Sequence, residues 1–257
     1  MGTALLPIVE PGTCLEELSV VRPALVRDVH VGHLAAGARL LRTNTFGASR
    51  ARLATHELVD VASINAAAVA RAREAIAALG RGPVVVAGVL GPGADREQAE
   101  ALAEAGVDLF VIETVRTVAE AGAILSIALD LKPVVVSFSP EANGRLADGA
   151  PLDEACRALA QADGVGLNCG QGARAMGASF AALPADRPRF AFPSAGLPMA
   201  LGGASGELLV WPEDAAVFAA AAGRMRGASV LGGCCGTTAA HLAALGDLLG
   251  AAAKGDA

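Results

Sequence analysis

The sequence predicts an α/β fold, a (β/α)8 TIM-type barrel with one strand unaccounted for. Two observations predict it. Seven apolar runs alternate with helical patterns along the 257 residues, and alternation of that kind builds a parallel sheet. The unusual polar residues of the chain also fall at the C-terminal ends of those runs, where a parallel barrel gathers its active site. An open doubly wound sheet is the alternative, but no glycine fingerprint follows the first strand. The chain reads as one domain over residues 1–252, followed by a tail at 253–257.

Taken in order, Met1–Leu6 has no strand before it. Pro23 suits the first turn of a helix over 22–37, in which Val26, Val29, His30, His33 and Leu34 recur at helical spacing. Ala38–Arg42 is the first strand, tipped by Thr43-Asn44-Thr45-Phe46-Gly47. A long helix is expected over 55–79. Pro83–Val89 is a continuous apolar strand suited to burial on both faces. A helix over 96–105 leads to the strand Asp108–Ile112, tipped by Glu113-Thr114. The rhythm repeats with a helix at 118–129, the strand Pro133–Phe138, a helix at 152–162 and the strand Gly164–Cys169. A helix near 173–183 precedes the strand Arg189–Phe192. Then come a Gly/Pro-rich excursion over 193–210, a helix at 212–226, the strand Ala228–Gly233 and a closing helix at 239–252.

Composition narrows the function. The net charge is -6 with no basic stripe, which argues against nucleic acid as a partner. No apolar stretch is long enough to span a bilayer, and no signal peptide is visible. The expectation is a cytoplasmic enzyme without a membrane partner. Five cysteines, an odd number without an export signal, speak against a disulfide framework.

Three of those cysteines carry the chemistry. Cys234 and Cys235 lie between glycines at the end of the last strand, and Cys169 ends another. Neighbouring side chains on a strand point apart, so the pair converges on one centre only if the backbone bends, which the flanking glycines permit. Three thiolates suit zinc with a fourth position left open. Such a site favours a substrate thiol, whose pKa of ~8.5 falls on coordination. Cys14 and Cys156 read as incidental, and His30, His33, His56 and His241 as surface or packing residues. Glu113 is placed to pair with a substrate ammonium, and Thr43 and Asn168 to hold its carboxylate. Ser137 and Ser139 read as structural.

The segments Thr43–Gly47, Ile112-Glu113-Thr114, Gly166–Gly172, Ser194–Pro198 and Gly232–Thr237 resemble, in order, the homocysteine S-methyltransferase family. The wording is most similar to the homocysteine-binding module of cobalamin-dependent methionine synthase. The resemblance implies zinc on Cys169, Cys234 and Cys235, and homocysteine sulfur at the open position. It implies Glu113 on the substrate amino group, with Thr43 and Asn168 lining the same pocket. It also implies a methyl donor that is an onium compound such as S-methylmethionine, or a corrinoid on a separate protein, with methionine as the product. Trp211 as the single tryptophan, with no tyrosine, leaves few residues for an aromatic cage and disfavours betaine.

Two features depart from the family. A first strand ending in Asp-Gly-Gly or Asp-Gly-Ala is expected just before Met1-Gly2-Thr3, so the barrel is expected to lack that strand. The loop after Val89 is also shorter than usual. The competing readings are a non-catalytic zinc- or thiol-binding homologue and a redox-active vicinal dithiol.

Overall fold

The structure, a computed structural model, describes residues 1–80, 82–170, 172–203 and 206–255. Nine strands are present among them: Leu40–Arg42 (β1), Val85–Leu90 (β2), Leu109–Val115 (β3), Val134–Phe138 (β4), Gly164–Cys169 (β5), Arg189–Pro193 (β6), Met199–Gly203 (β7), Gly206–Val210 (β8) and Val230–Leu231 (β9). Seven form one parallel sheet in the order β1-β2-β3-β4-β5-β6-β9. The sheet curls so far that Arg42 at the end of β1 reaches the carbonyl of Gly233 just beyond β9. This is the partial (β/α)8 barrel that the alternation predicts.

Period-two alternation explains the layers. Val86, Phe110, Ile112, Val134, Val136, Val165 and Leu167 point outward and pack under helices in the main core. Their neighbours Ala87, Val111, Val135, Phe190 and Phe192 point inward and fill the barrel. Both faces are apolar, which is why these strands read as unbroken hydrophobic runs.

The helices run Gly2–Leu5 (α1), Leu18–Val21 (α2), Pro23–Ala35 (α3), Arg50–Ala54 (α4), Val61–Leu79 (α5), Arg96–Glu104 (α6), Val118–Ala128 (α7), Leu152–Ala158 (α8), Ala173–Ala181 (α9), Ala215–Ala222 (α10) and Ala239–Gly255 (α11). Asp60, Asp95, Thr117 and Asp214 cap α5, α6, α7 and α10 by accepting a backbone N–H of the first turn.

Three sequence expectations change. The helix expected over 55–79 starts only at Val61, because residues 55–60 form a turn in which Glu57 takes a φ of 61° and Asp60 caps α5. The excursion over 193–210 contains the antiparallel hairpin β7–β8. The last helix continues to Gly255, while positions 256 and 257 of the expected tail lie outside the described residues. No described helix is long and apolar enough to cross a membrane.

One side of the barrel is open. β1 pairs only with β2 and β9 only with β6 among the described residues. Between their free edges lies a cavity of about 460 Å³, walled by Leu40, Arg42, Val230 and Gly233 and reaching Cys234. Outside it α3 packs against α11. The helical layer therefore closes across a slot that the sheet leaves unfilled.

A three-cysteine centre at the mouth of the barrel

Cys169, Cys234 and Cys235 meet at the C-terminal end of the sheet. Their sulfurs all lie within 4.8 Å of one another. Cys169 Sγ is 3.6 Å from Cys235 Sγ, and Cys234 Sγ is 4.0 Å from Cys235 Sγ. Tetrahedral zinc with Zn–S bonds of ~2.3 Å holds its sulfurs about 3.8 Å apart. The donor set therefore fits that ion in both chemistry and spacing.

Local backbone geometry makes this convergence possible. Cys169 adopts a φ of 62°, a left-handed value that few side-chain-bearing residues take, and Gly170 follows at 67°. The chain thereby turns off β5 and swings the Cys169 sulfur towards the other two. After β9 the bend falls at Gly236, with a φ of 76°. A Cβ there would stand 2.1 Å from Trp211, and one at Gly233 would stand 2.4 Å from Thr237. Only glycine fits at either place.

Charge in the cluster is shared unequally. Hydrogen bonds from Cys169 and Cys235 hold the Cys234 thiol well below its usual range, with Arg42 adding to the effect against the cost of burial. Those same bonds and burial push Cys235 up. A bound divalent ion would allow all three to ionise.

Asn168 sits beside the cluster, fully buried. Its Oδ1 accepts from the Thr114 N–H and the Ser137 hydroxyl, both at 2.9 Å, and its Nδ2 donates to Thr114 Oγ1 at 2.7 Å. Nδ2 also lies 4.0 Å from Cys234 Sγ. Ser137, expected to be structural, orients this amide.

Glu113, at the end of β3, is almost enclosed. Its Oε2 accepts from Arg42 Nη1 at 2.5 Å, while Arg42 Nη2 donates to Gly233 O at 2.6 Å. Burial raises the Glu113 carboxyl, against the pull of Arg42. The Arg42 guanidinium also stacks on the Phe192 ring, 4.3 Å from its centroid. Sequence reasoning passed over Arg42 as an ordinary strand residue. Its signal was a charge at the C-terminal end of an apolar strand, one residue before the Thr43 tip.

Thr43 is placed differently from the other expected substrate residues. It is 2% exposed. Its hydroxyl accepts from the Val89 N–H at 3.0 Å and lies 2.7 Å from Thr45 Oγ1. Thr43 is thus bonded into the seam between β1 and β2. Just beyond, the short loop after β2 lies against Phe46, whose carbonyl a Cβ at Gly91 would meet at 2.3 Å.

A closed ring of hydrogen bonds fixes the paired cysteines. The Ala195 N–H donates to Cys235 O at 2.9 Å, and the Glu213 N–H to Ala195 O at 3.0 Å. His241 Nε2 lies 2.9 Å from Glu213 O, and His241 Nδ1 faces the Thr238 N–H at 3.2 Å and hydroxyl at 2.9 Å. A carbonyl can only accept and an amide N–H can only donate, so His241 is the neutral tautomer protonated on Nε2. Next in sequence to Ala195, the Ser194 hydroxyl donates to Gly170 O at 3.0 Å. One loop, the one after β6, therefore touches both the Cys169 turn and the Cys234–Cys235 turn. His241 is a packed histidine as expected, 8% exposed and edge-on to Phe218, but its polar atoms close the ring.

Comparison with known proteins gives a consistent result. A family model described as homocysteine S-methyltransferase matches residues 1–249. The chain is 29% identical to methionine synthase of Mycobacterium tuberculosis over 89% of its own length and 22% of that protein's. It thus spans about a fifth of that relative. Among solved structures, the metallated form of the homocysteine methyltransferase MmuM from Escherichia coli matches with a TM-score of 0.77 at 25% identity, covering 96% of this chain and 93% of that one. The oxidised form of MmuM matches over the same shares of both chains at 25% identity, with a TM-score of 0.80.

Proposed function

The chain belongs to the homocysteine S-methyltransferase family, and on that premise we propose that it transfers a methyl group from an onium or corrinoid donor to the sulfur of homocysteine, giving methionine. Cys169, Cys234 and Cys235 are the proposed zinc ligands. The observation that carries this reading is the spacing of their sulfurs, 3.6 and 4.0 Å for the two closest pairs. Zinc, when bound there, would hold a substrate thiol as its thiolate near neutral pH.

The remaining residues supply binding and orientation. Glu113 is the proposed partner of the substrate ammonium, since burial in a site of low polarity strengthens a carboxylate–ammonium contact. Asn168, locked by Thr114 and Ser137, offers its amide N–H towards the sulfurs. Such a bond steadies the charge on Cys234 and fixes the direction of its lone pairs. Thr43 supports the mouth from the β1–β2 seam.

The test is direct. Protein purified with zinc and given homocysteine is assayed for methionine with S-methylmethionine, betaine or a methylated corrinoid protein. One zinc per chain and methionine from one of these donors are expected, and Cys234→Ala is expected to abolish both. Full activity in that variant would refute the mechanism. The open slot beside β1 favours a second reading, zinc and thiol binding without turnover. It predicts stoichiometric zinc and no methionine from any donor.

A further inference from the structure

Arg42 is the charged group at the mouth to which the reaction assigns no task. Two arginines line the cavity, Arg39 and Arg42. Arg39 is exposed just before β1, at the opposite end from the mouth. Arg42 lies at the mouth, its side chain 15% exposed and that of Glu113 12%. Its guanidinium is bonded to Gly233 O, one residue before Cys234, and stands over the Phe192 ring. It is therefore rigid and beside the sulfur cluster.

A guanidinium carries five N–H donors, and Glu113 and Gly233 take two of them. Its planar fork matches a carboxylate. Homocysteine is an α-amino acid, so its ammonium and carboxylate are attached to one carbon. Glu113 answers the ammonium. An enclosed carboxylate needs a cation or a set of N–H donors within reach, and Arg42 adjoins Glu113 at 2.5 Å.

Resting on the homocysteine reading above, we propose that Arg42 and Glu113 act as one receptor for the zwitterionic head of the substrate, Arg42 receiving its α-carboxylate and Glu113 its α-ammonium. The two side chains neutralise each other. An α-amino acid presents the same two charges in opposite order, so binding exchanges one paired arrangement for another and leaves no buried charge alone. The pair thereby selects amino-acid thiols over simple thiols.

The test is calorimetric titration of the zinc-loaded protein with three thiols and no methyl donor. They are homocysteine, 3-aminopropane-1-thiol, which lacks the carboxylate, and 4-mercaptobutanoate, which lacks the amine. Wild type is expected to prefer homocysteine over both. Arg42→Gln is expected to cut the preference over 3-aminopropane-1-thiol by about 10- to 100-fold, the span of a hydrogen bond to a charged group. Glu113→Gln is expected to cut the preference over 4-mercaptobutanoate similarly. Melting curves show whether each single variant folds. The neutral pair Arg42→Gln/Glu113→Gln leaves no lone buried charge, and it must lose both preferences. Equal weakening of all three thiols by Arg42→Gln overturns the inference and leaves the homocysteine reading standing. A wild-type protein that binds no thiol overturns both.

Discussion

Cys169 ends β5, a strand paired on both sides, to β4 and to β6. Cys234 and Cys235 follow β9, which is two residues long and, among the described residues, pairs only with β6. The two contributors to one centre thus stand on unequal footing. The β-ladder fixes the first. The second sits beside the open slot: the pairing with β6 runs on to the Cys234 N–H, which donates to Pro193 O at 2.8 Å, and the ring through Ala195, Glu213, His241 and Thr238 adds to that single-sided support. A loop can present metal ligands as firmly as a strand when its backbone groups are bonded to parts that cannot move apart.

The largest expected effect tests whether the two contributors are equal in function despite that difference. Cys169→Ala, Cys234→Ala and Cys235→Ala are each expected to lose the metal and all methyl transfer, since two thiolates and a water hold zinc far less tightly than three thiolates. Metal content by mass spectrometry and methionine formation read it. Retention of a full equivalent of zinc in Cys169→Ala alone would break the comparison, making the paired cysteines a site without their partner.

Next come the two sides of the sheet. Phe110 is fully buried outside β3 on the closed side. Phe110→Ala is expected to cost about 3–5 kcal/mol of stability. Val230 in β9 is partly exposed, and Val230→Ala is expected to cost under about 1.5 kcal/mol. Urea unfolding measures both. Equal losses would mean that the slot side is as tightly packed as the rest.

The ring itself supplies a third test. His241→Phe keeps the ring-shaped side chain against Phe218 and removes both polar atoms. It is expected to weaken zinc binding by about 10- to 100-fold, as removal of an outer partner of a metal site does. His241→Gln presents a donor and an acceptor at similar spacing, and it is expected to restore most of that loss. Competition with a chromophoric chelator reads the affinities. If Phe and Gln weaken binding alike, the ring is packing and the loop is held by other means.

Much of this was legible in the sequence, for a physical reason. Strands β2 to β5 are buried on both faces, so each appears as an uninterrupted apolar run, and the polar residue ending each run marks the mouth. Cys169, Cys234, Cys235, Glu113 and Asn168 were found that way. Arg42 was not, because its partners Glu113 and Gly233 stand 71 and 191 residues away, and local pattern carries no trace of them. The break at 55–60 was hidden because residues with helical spacing continue on both sides of it. His241 looked like core, and by burial it is. Only the directions of its two nitrogens distinguish a packed histidine from one that ties a loop.

The smallest expected effect concerns α3, which flanks the open side. His30 in α3 is 1% exposed, and neither ring nitrogen has a hydrogen-bond partner among the described residues. Burial lowers it from 6.5 to about 3, with His33 adding to the shift. The folded protein therefore keeps His30 neutral where the unfolded chain protonates it. Below pH 6.5 the unfolded state binds the extra proton, so stability is complete above that pH and falls as the pH drops towards 3. His33, lowered to about 4 chiefly by burial, acts in the same direction. Replacing His30 by leucine removes its share and offers a near match in volume. Between pH 7.5 and pH 5 the wild type is expected to lose about 1–2 kcal/mol more than His30→Leu, read from urea midpoints. Parallel pH curves for the two proteins would mean that water reaches this histidine through the slot, and that the helical layer closes the open side less completely than its packing suggests.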